Sequence, residues 1–242
     1  MLSAMRFFID YNELIALREK SRVVTIGNFD GVHLGHKAVL AQARKEADKL
    51  DLEVAVLTFE PHPAELLKPA CPKQRIVVPE RKTALLAECG SDVVLAQRFD
   101  DNFADLTAAR FAGDVLVRAL CAKMVIVGEN FRFGRGREGG LKTLCKLGEK
   151  LGFAVRSKTL VQSDNVEISS TRIRRLIMDG SVADANDLLG RRHELPGKVI
   201  HGEGKGREFG FPTINLGDVA VLVPGPGIYA AYCDIDDRVE KA

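Results

Sequence analysis

A chain of 242 residues, 46% hydrophobic and 28% charged, carries enough apolar side chains for one or two folded domains, which excludes a disordered or low-complexity polypeptide. Its net charge of +2 gives no global field that would argue for nucleic acid or an anionic membrane as partner. No apolar run approaches the roughly 20 residues that span a bilayer, and the opening MLSAMRFFIDYNELIALREK lacks a signal-peptide pattern, so a cytoplasmic protein is expected.

The first clear strand is the β-branched run Val23, Val24 and Ile26, cut off by the turn residues Gly27, Asn28, Asp30 and Gly31. From His36 the apolar residues Val39, Ala43, Ala47 and Leu50 follow at helical spacing, which predicts a helix. His33 and His36 sit at its entry, where the first N–H groups lack intrahelical partners and the dipole is positive. Such an entry attracts phosphate. Gly27, Gly31 and Gly35 let backbone N–H groups approach an anion closely, and two imidazoles can donate to its oxygens. Those bonds strengthen as charge builds in a phosphoryl-transfer transition state. Two other readings stand beside this one: an incomplete metal site, and a helix-capping pair without chemistry. The string GNFDGVHLGH resembles the HxGH signature of the nucleotidylyltransferase superfamily. That resemblance implies transfer of a nucleoside monophosphate from a triphosphate onto an acceptor phosphate, and leaves the acceptor open.

Further strands are predicted at 53–59, 92–96, 124–127 and 153–156, alternating with helices at 79–89, 107–120 and 141–151; Gly90 and Gly152 are the stops of the first and last helix. The alternation predicts an α/β fold with a parallel, Rossmann-like sheet and helices on both faces. Ligands in that architecture bind beyond the carboxyl ends of the strands, where the loop 27–36 opens. The string TFEPHP at 58–63 reads as an extended loop stiffened by two prolines, either a rigid connector or a wall of the site contacted through Phe59 and His62. Residues 68–75 read as a mobile loop without chemistry.

The stretch VIVGENFRFGRGREGG at 125–140 follows a strand end with Asn130, Phe131 and Phe133 and a basic, glycine-rich loop. An RGG-like nucleic-acid segment is one reading; polyphosphate binding with aromatic stacking is the other. At 168–175, ISSTRIRR combines the cap residues Ser169, Ser170 and Thr171 with arginines in the first helical turn, which the dipole disfavours. Cations there call for an anionic partner, and a triphosphate fits. An ordinary capped helix with solvated arginines is the alternative. The five cysteines, Cys71, Cys89, Cys121, Cys145 and Cys233, are odd in number and scattered, so free and mostly buried thiols are expected.

Together GNFDGVHLGH, FEPHP, VGENFRFGRG and ISSTRIR closely resemble the FAD synthetase (FMN adenylyltransferase) module of bacterial bifunctional riboflavin kinase/FAD synthetases. The resemblance covers most of residues 20–190. It implies ATP and FMN as substrates, Mg²⁺ as the ion, and FAD and pyrophosphate as products. Carried over, it implies that Gly27, Asn28, Phe29, Asp30, Gly31, His33, His36, Ser169, Ser170, Thr171 and Arg174 bind ATP, that Phe59, His62, Asn130 and Phe131 lie on the flavin side, and that His33, His36, Arg174 and Asn130 serve catalysis.

A linker is expected near 186–196, dividing a nucleotidyltransferase domain at 1–188 from a segment at 189–242. GKVIHGEGKGREFGFPTINL in that segment resembles the opening of the riboflavin kinase module. By resemblance Lys205, Gly206 and Arg207 form an ATP flap, and Thr213 and Asn215 are Mg²⁺ and nucleotide ligands. Ile214 stands where the family has Ala, and PGPGIY at 224–229 matches the strand entry that follows. About fifty residues are too few to close a β-barrel. The expectation is therefore a partial all-β, riboflavin-kinase-like segment on a chain that adenylylates FMN without phosphorylating riboflavin. The partners expected are small molecules (ATP, FMN and, for a kinase, riboflavin), with no nucleic acid and no membrane; oligomeric state is left open. Another nucleotidylyltransferase, or a flavin- or RNA-binding regulator without turnover, remain the alternatives.

Overall fold

A computed structural model describes residues 5–17, 20–67, 75–158, 162–163, 166–202, 210, 213–235 and 238–241. Lys205, Gly206, Arg207, Pro212, Cys71 and the loop at 68–74 lie outside the described residues.

Strand side chains alternate between two faces. In β2 (Arg22–Ile26), β3 (Glu53–Glu60), β4 (Val93–Arg98) and β5 (Ala122–Gly128), one set consists of Val24, Ile26, Ala55, Leu57, Val93, Leu95, Val125 and Val127. The other consists of Val23, Val54, Val56, Val94, Met124 and Ile126. Both sets are apolar, so both faces must be covered. The first face is covered by Leu14 of α1 (Tyr11–Ala16), Phe103 of α5 (Asp101–Ala104), Phe111, Val115 and Leu116 of the helix continuing from α6 (Ala108–Arg110), and Leu144 of α7 (Leu141–Leu151). The second takes Leu40, Ala43 and Ala47 of α2 (Leu34–Leu50) and Leu85 and Leu86 of α4 (Pro79–Glu88).

With β1 (Arg6–Phe8) and β6 (Ala154–Lys158) the sheet has six parallel strands in the order β1-β4-β3-β2-β5-β6. The chain moves outward from β2 and then returns to pair β5 on its other side, with Thr25 opposite Ile126. That reversal is where doubly wound sheets bind ligands, because two loops part there. The loops after β2 and β5 leave the same end of the sheet side by side.

Several boundaries differ from expectation for local reasons. Helix α2 starts at Leu34 with His33 as its N-cap, and Leu50 is exposed while Leu40 takes the inward position. Pro63 opens a short helix, α3 (Pro63–Leu67), where a first-turn proline loses no bond, so TFEPHP is not extended throughout. The stretch Phe111–Ala119 is wound in the wider π form, with Leu120 N–H bonded to the Val115 carbonyl at 3.0 Å. Gly90 and Gly152 end their helices at φ +83° and +82°, as expected. Cys89, Cys121, Cys145 and Cys233 are free but half-buried rather than buried.

Beyond the short hairpin of β7 (Gln162–Ser163) and β8 (Val166–Glu167), α8 (Ser170–Met178) and α9 (Val182–Leu189) close a third cluster with Ile76, Ile168, Ile173, Ile177 and Leu189. Residues 186–189, at the start of the stretch expected as linker, are therefore helical. The later segment turns back to the sheet domain. Leu222 is buried in the third cluster, its N–H donating to the Arg75 carbonyl at 2.7 Å, and Gly225 N–H donates to the Ile177 carbonyl at 3.1 Å. Two antiparallel pairs, β9 (Lys198–Ile200) with β10 (Asn215–Gly217) and β11 (Tyr232–Ile235) with β12 (Arg238–Lys241), make up the rest. Among the described residues no helix is long and apolar enough to cross a membrane.

Candidate active site

The turn after β2 is held in backbone conformations that few residues adopt. Phe29, Gly31 and Val32 lie at φ +50°, +86° and +39°, and a Cβ on Gly31 would meet Ile76 at 3.2 Å and Leu189 at 3.3 Å. Non-glycine residues in this region cost free energy and persist only when their surroundings over-determine them. The turn delivers His33 to the N-cap of α2, where its Nδ1 accepts the His36 N–H at 3.4 Å. In the neutral ring the proton then sits on Nε2, which leaves that nitrogen a donor. The two imidazoles stack at 3.6 Å, and Phe29 meets His36 edge-on at 5.0 Å.

Burial pushes the His33 imidazole down to about 4, helped by the Arg191 and Arg174 cations and opposed by Asp30. Burial, followed by the His33 charge, also holds His36 well below the usual histidine range. Both rings are therefore neutral at pH 7. His36 Nδ1 is buried with no partner in the protein.

Helix α8 brings its first turn to the same place. Ser170 Oγ donates to the Asp30 carbonyl at 2.8 Å, and Arg174 Nη2 bonds the Asp30 carboxylate, which also accepts the Ile76 N–H at 3.0 Å. Ser169 is the N-cap, accepting Arg172 N–H at 3.3 Å, while Thr171 is exposed. The sequence reading assigned a triphosphate as the anion for these arginines; the Asp30 carboxylate is one anion already paired with Arg174. That pairing fixes the Arg174 guanidinium beside the turn. Phe29, 2% exposed, has its ring buried against His36.

Across the reversal point, Asn130 is exposed in the turn after β5, and Phe131 is half-buried and stacked on Phe133 at 5.4 Å. Phe59 packs among Phe99 and Phe103 at 5.7 and 5.9 Å, which gives it a share in the core. His62 uses Nδ1 to accept the Ala64 N–H at 3.0 Å and lines a small cleft with Asn28, Asp30, Glu60, Arg75 and Lys82. Thr213 and Asn215 are exposed in the C-terminal segment and do not join this cluster.

Sequence reasoning missed three cations. Lys82 is 7% exposed, its Nζ 3.4 Å from Thr58 Oγ1, the Phe59 carbonyl and Glu60 Oε2; burial pulls this ammonium below its usual range. Arg75 bonds Glu60 at 2.6 Å. Arg191 donates to the Gly31 carbonyl at 2.6 Å. No local signal marks them; each lies on a helix or connector whose role comes from tertiary packing. On the far side of Lys82 and Glu60 a cavity of about 470 Å³ opens between Phe7, Ile9, Ala96 and Arg98. Among the described residues no group of three or more His, Cys, Asp or Glu side chains is arranged to hold a metal ion.

The neutral state of His33 has a pH signature. Above pH 6.5 the ring is uncharged in both folded and unfolded chains, so it adds no pH dependence. As pH falls from 6.5 towards 4 the unfolded chain takes up a proton that the folded chain refuses, and stability declines by up to about 3 kcal/mol. His36 acts with the same sign. Melting curves from pH 7 to 4.5 are expected to show this loss, and His33→Asn, which keeps a cap acceptor, to flatten it.

A parallel doubly wound sheet with a histidine-lined helix mouth and a second helix N-terminus at its reversal point defines a nucleotidyltransferase-type α/β protein. Comparison with known proteins narrows the class. The FAD synthetase profile matches residues 16–172 and the riboflavin kinase profile residues 189–242. The bifunctional riboflavin kinase/FMN adenylyltransferase of Escherichia coli K12 is 42% identical over 226 residues, 93% of this chain and 72% of the relative. That of Listeria monocytogenes is 38% identical over 213 residues, 87% and 67% of the two chains. A crystal structure described as a macrolide-efflux protein from Streptococcus pneumoniae superposes with TM-score 0.87 at 29% identity, over 98% of this chain and 77% of that one. Pantoate-beta-alanine ligase from Francisella tularensis, at 14% identity and TM-score 0.50, shares the fold over 75% of this chain and 77% of its own. The chain belongs to the FAD synthetase family, in the branch of bifunctional riboflavin kinase/FMN adenylyltransferases.

Proposed function

We propose that this chain makes FAD by transferring AMP from ATP to FMN, with release of pyrophosphate. An oxygen of the FMN phosphate attacks the α-phosphorus in line, the bond from that phosphorus to the bridging α–β oxygen breaks, and pyrophosphate leaves with the electron pair. The observation that carries the reading is Asp30, three residues before the His33 cap, which ties the start of α8 to the turn leading into α2: its carbonyl accepts from Ser170 and its carboxylate pairs with Arg174, both on α8. In this reading two helix N-termini, two neutral imidazoles and the guanidinium of Arg174 serve one polyphosphate.

Within this reading the backbone of Gly27, Asn28, Asp30 and Gly31 and the hydroxyls of Ser169, Ser170 and Thr171 hold the ATP phosphates. His33, His36 and Arg174 stabilise charge on the transferring group and on pyrophosphate. Asn130 orients the phosphates from the neighbouring loop, and Phe59, His62 and Phe131 border the flavin. Mg²⁺ enters as the nucleotide's complex, held mainly through phosphate oxygens and water, as this ion prefers. No covalent nucleophile is required. We further propose a division into 1–188 and 189–242, a cytoplasmic location, and small-molecule partners.

Riboflavin phosphorylation is assigned to the relatives by their names; for this 242-residue polypeptide we propose that it is absent, because the described strands beyond 198 form two separate two-stranded pairs with Val199, Ile214 and Leu216 exposed. Incubation with MgATP is expected to convert FMN to FAD and leave riboflavin unchanged, read by chromatography of the flavins. FMN appearing from riboflavin would overturn the second half, and FMN left unadenylylated the first.

A further inference from the structure

We infer that Arg191 is a positioning residue of the adenylyl-transfer cradle, the side chain that fixes the Gly31 turn against the mouth of α2; this rests on the reading of the site given above. Gly190, the C-cap of α9 at φ +64°, turns the chain back over α2. The approach is close: Lys37 Nζ donates to the Gly190 carbonyl at 3.4 Å, and a Cβ on Gly190 would lie 2.6 Å from Leu34 Cδ2. The next residue is Arg191, whose Nη1 donates to the Gly31 carbonyl at 2.6 Å.

That carbonyl belongs to the peptide joining Gly31 to Val32, and the N–H of the same peptide donates to the Phe29 carbonyl at 3.1 Å. Both polar ends of one peptide plane are thereby pinned, between residues at φ +86° and +39°. Strained turns hold only when several contacts agree; Ser170 holds the Asp30 carbonyl from α8, and Arg191 supplies a second contact from outside the turn, on the next carbonyl. The peptide leads directly into the His33 cap, so its plane sets where both imidazoles stand. Arg191 Nε is buried without a partner in the protein, a donor left over beside a site built for an anion. Arg191 lies outside residues 16–172 matched by the FAD synthetase profile and inside 189–242 matched by the riboflavin kinase profile. The cradle is thus completed by a residue from the other module's segment.

The test uses the full chain and three variants, Arg191→Ala, Arg191→Lys and the control Arg192→Ala, which removes an equal charge from a guanidinium lying 4.3 Å over the Tyr232 ring. Two properties are read: KM and kcat for MgATP, and the titration midpoints of His33 and His36 by NMR. Arg191→Ala is expected to raise KM for ATP about tenfold or more, because a small displacement of positioned groups is costly, while KM for FMN stays within about twofold. Its His33 midpoint is expected to rise above about 4 with the neighbouring cation gone. Arg191→Lys keeps the charge without the planar donor fork, so its KM for ATP stays raised while His33 titrates near the parent value. Arg192→Ala is expected to match the parent in both properties. Parent-like ATP kinetics in Arg191→Ala, or an equal effect from Arg192→Ala, would overturn the inference. If Arg191→Ala does not fold, the KM of Arg191→Lys decides. If the parent makes no FAD, the adenylyl-transfer reading falls, whereas an unmoved His33 midpoint in Arg191→Ala rejects Arg191 independently of activity.

Discussion

Substitution of His36 by alanine is expected to slow adenylyl transfer by about 10²–10³-fold, the usual loss when one preorganised donor to developing charge is removed. The stability cost is expected to be small by comparison, under about 2 kcal/mol. His36 Nδ1 is buried and unpartnered, so deleting the ring relieves an unsatisfied atom at the same time as it removes a stacking surface for His33. The His36 backbone N–H and its bond to His33 Nδ1 survive in the variant, so the helix cap is retained. Steady-state rates beside denaturant unfolding separate the two quantities. Full turnover in His36→Ala would remove this residue from the mechanism.

Arg174→Ala is expected to damage both. The Asp30 side chain is 8% exposed, and without Arg174 its carboxylate keeps the Ile76 N–H alone among the bonds described above. Stranding one partner of a buried ion pair costs about 3 kcal/mol or more, which in a protein of this size lowers Tm by roughly 6 to 12 °C. Activity is expected to fall together with stability if Arg174 has the role proposed for it on the transferring phosphate. The double variant Asp30→Asn, Arg174→Gln tells the two effects apart: neutral partners restore much of the melting temperature, while adenylyl transfer stays low. Recovery of activity along with stability would mean that Arg174 acts only as a structural partner of Asp30.

Much of this architecture is legible in the residues because its signals are local. The alternation of Val23 with Val24 and of Val54 with Ala55, the left-handed stops at Gly90 and Gly152, and the cap types at 169–171 each act within a few positions. The HxGH and ISSTRIR strings are legible for the same reason, since each marks one helix entry. What escaped depends on partners far along the chain. Asp30 reads as one more turn former beside its glycines, and its hold on Arg174 appears only once the start of α8 is folded against the turn after β2. Arg191 reads as a linker charge, because its acceptor is 160 positions away. Lys82 reads as a helix surface residue, and only the packing of α4 over β3 buries it against Thr58 and Glu60. The edge strand β1 is too short, at three residues, to show a period of its own.

The most direct measurement is isotopic. With FMN as acceptor and ATP labelled with ³²P at either the α or the γ position, the cradle is expected to deliver the α label into FAD and release the γ label as pyrophosphate. Transfer of the γ label to a flavin, or retention of the α label in free nucleotide, would contradict an in-line attack at the α-phosphorus and with it the role given to His33, His36 and Arg174.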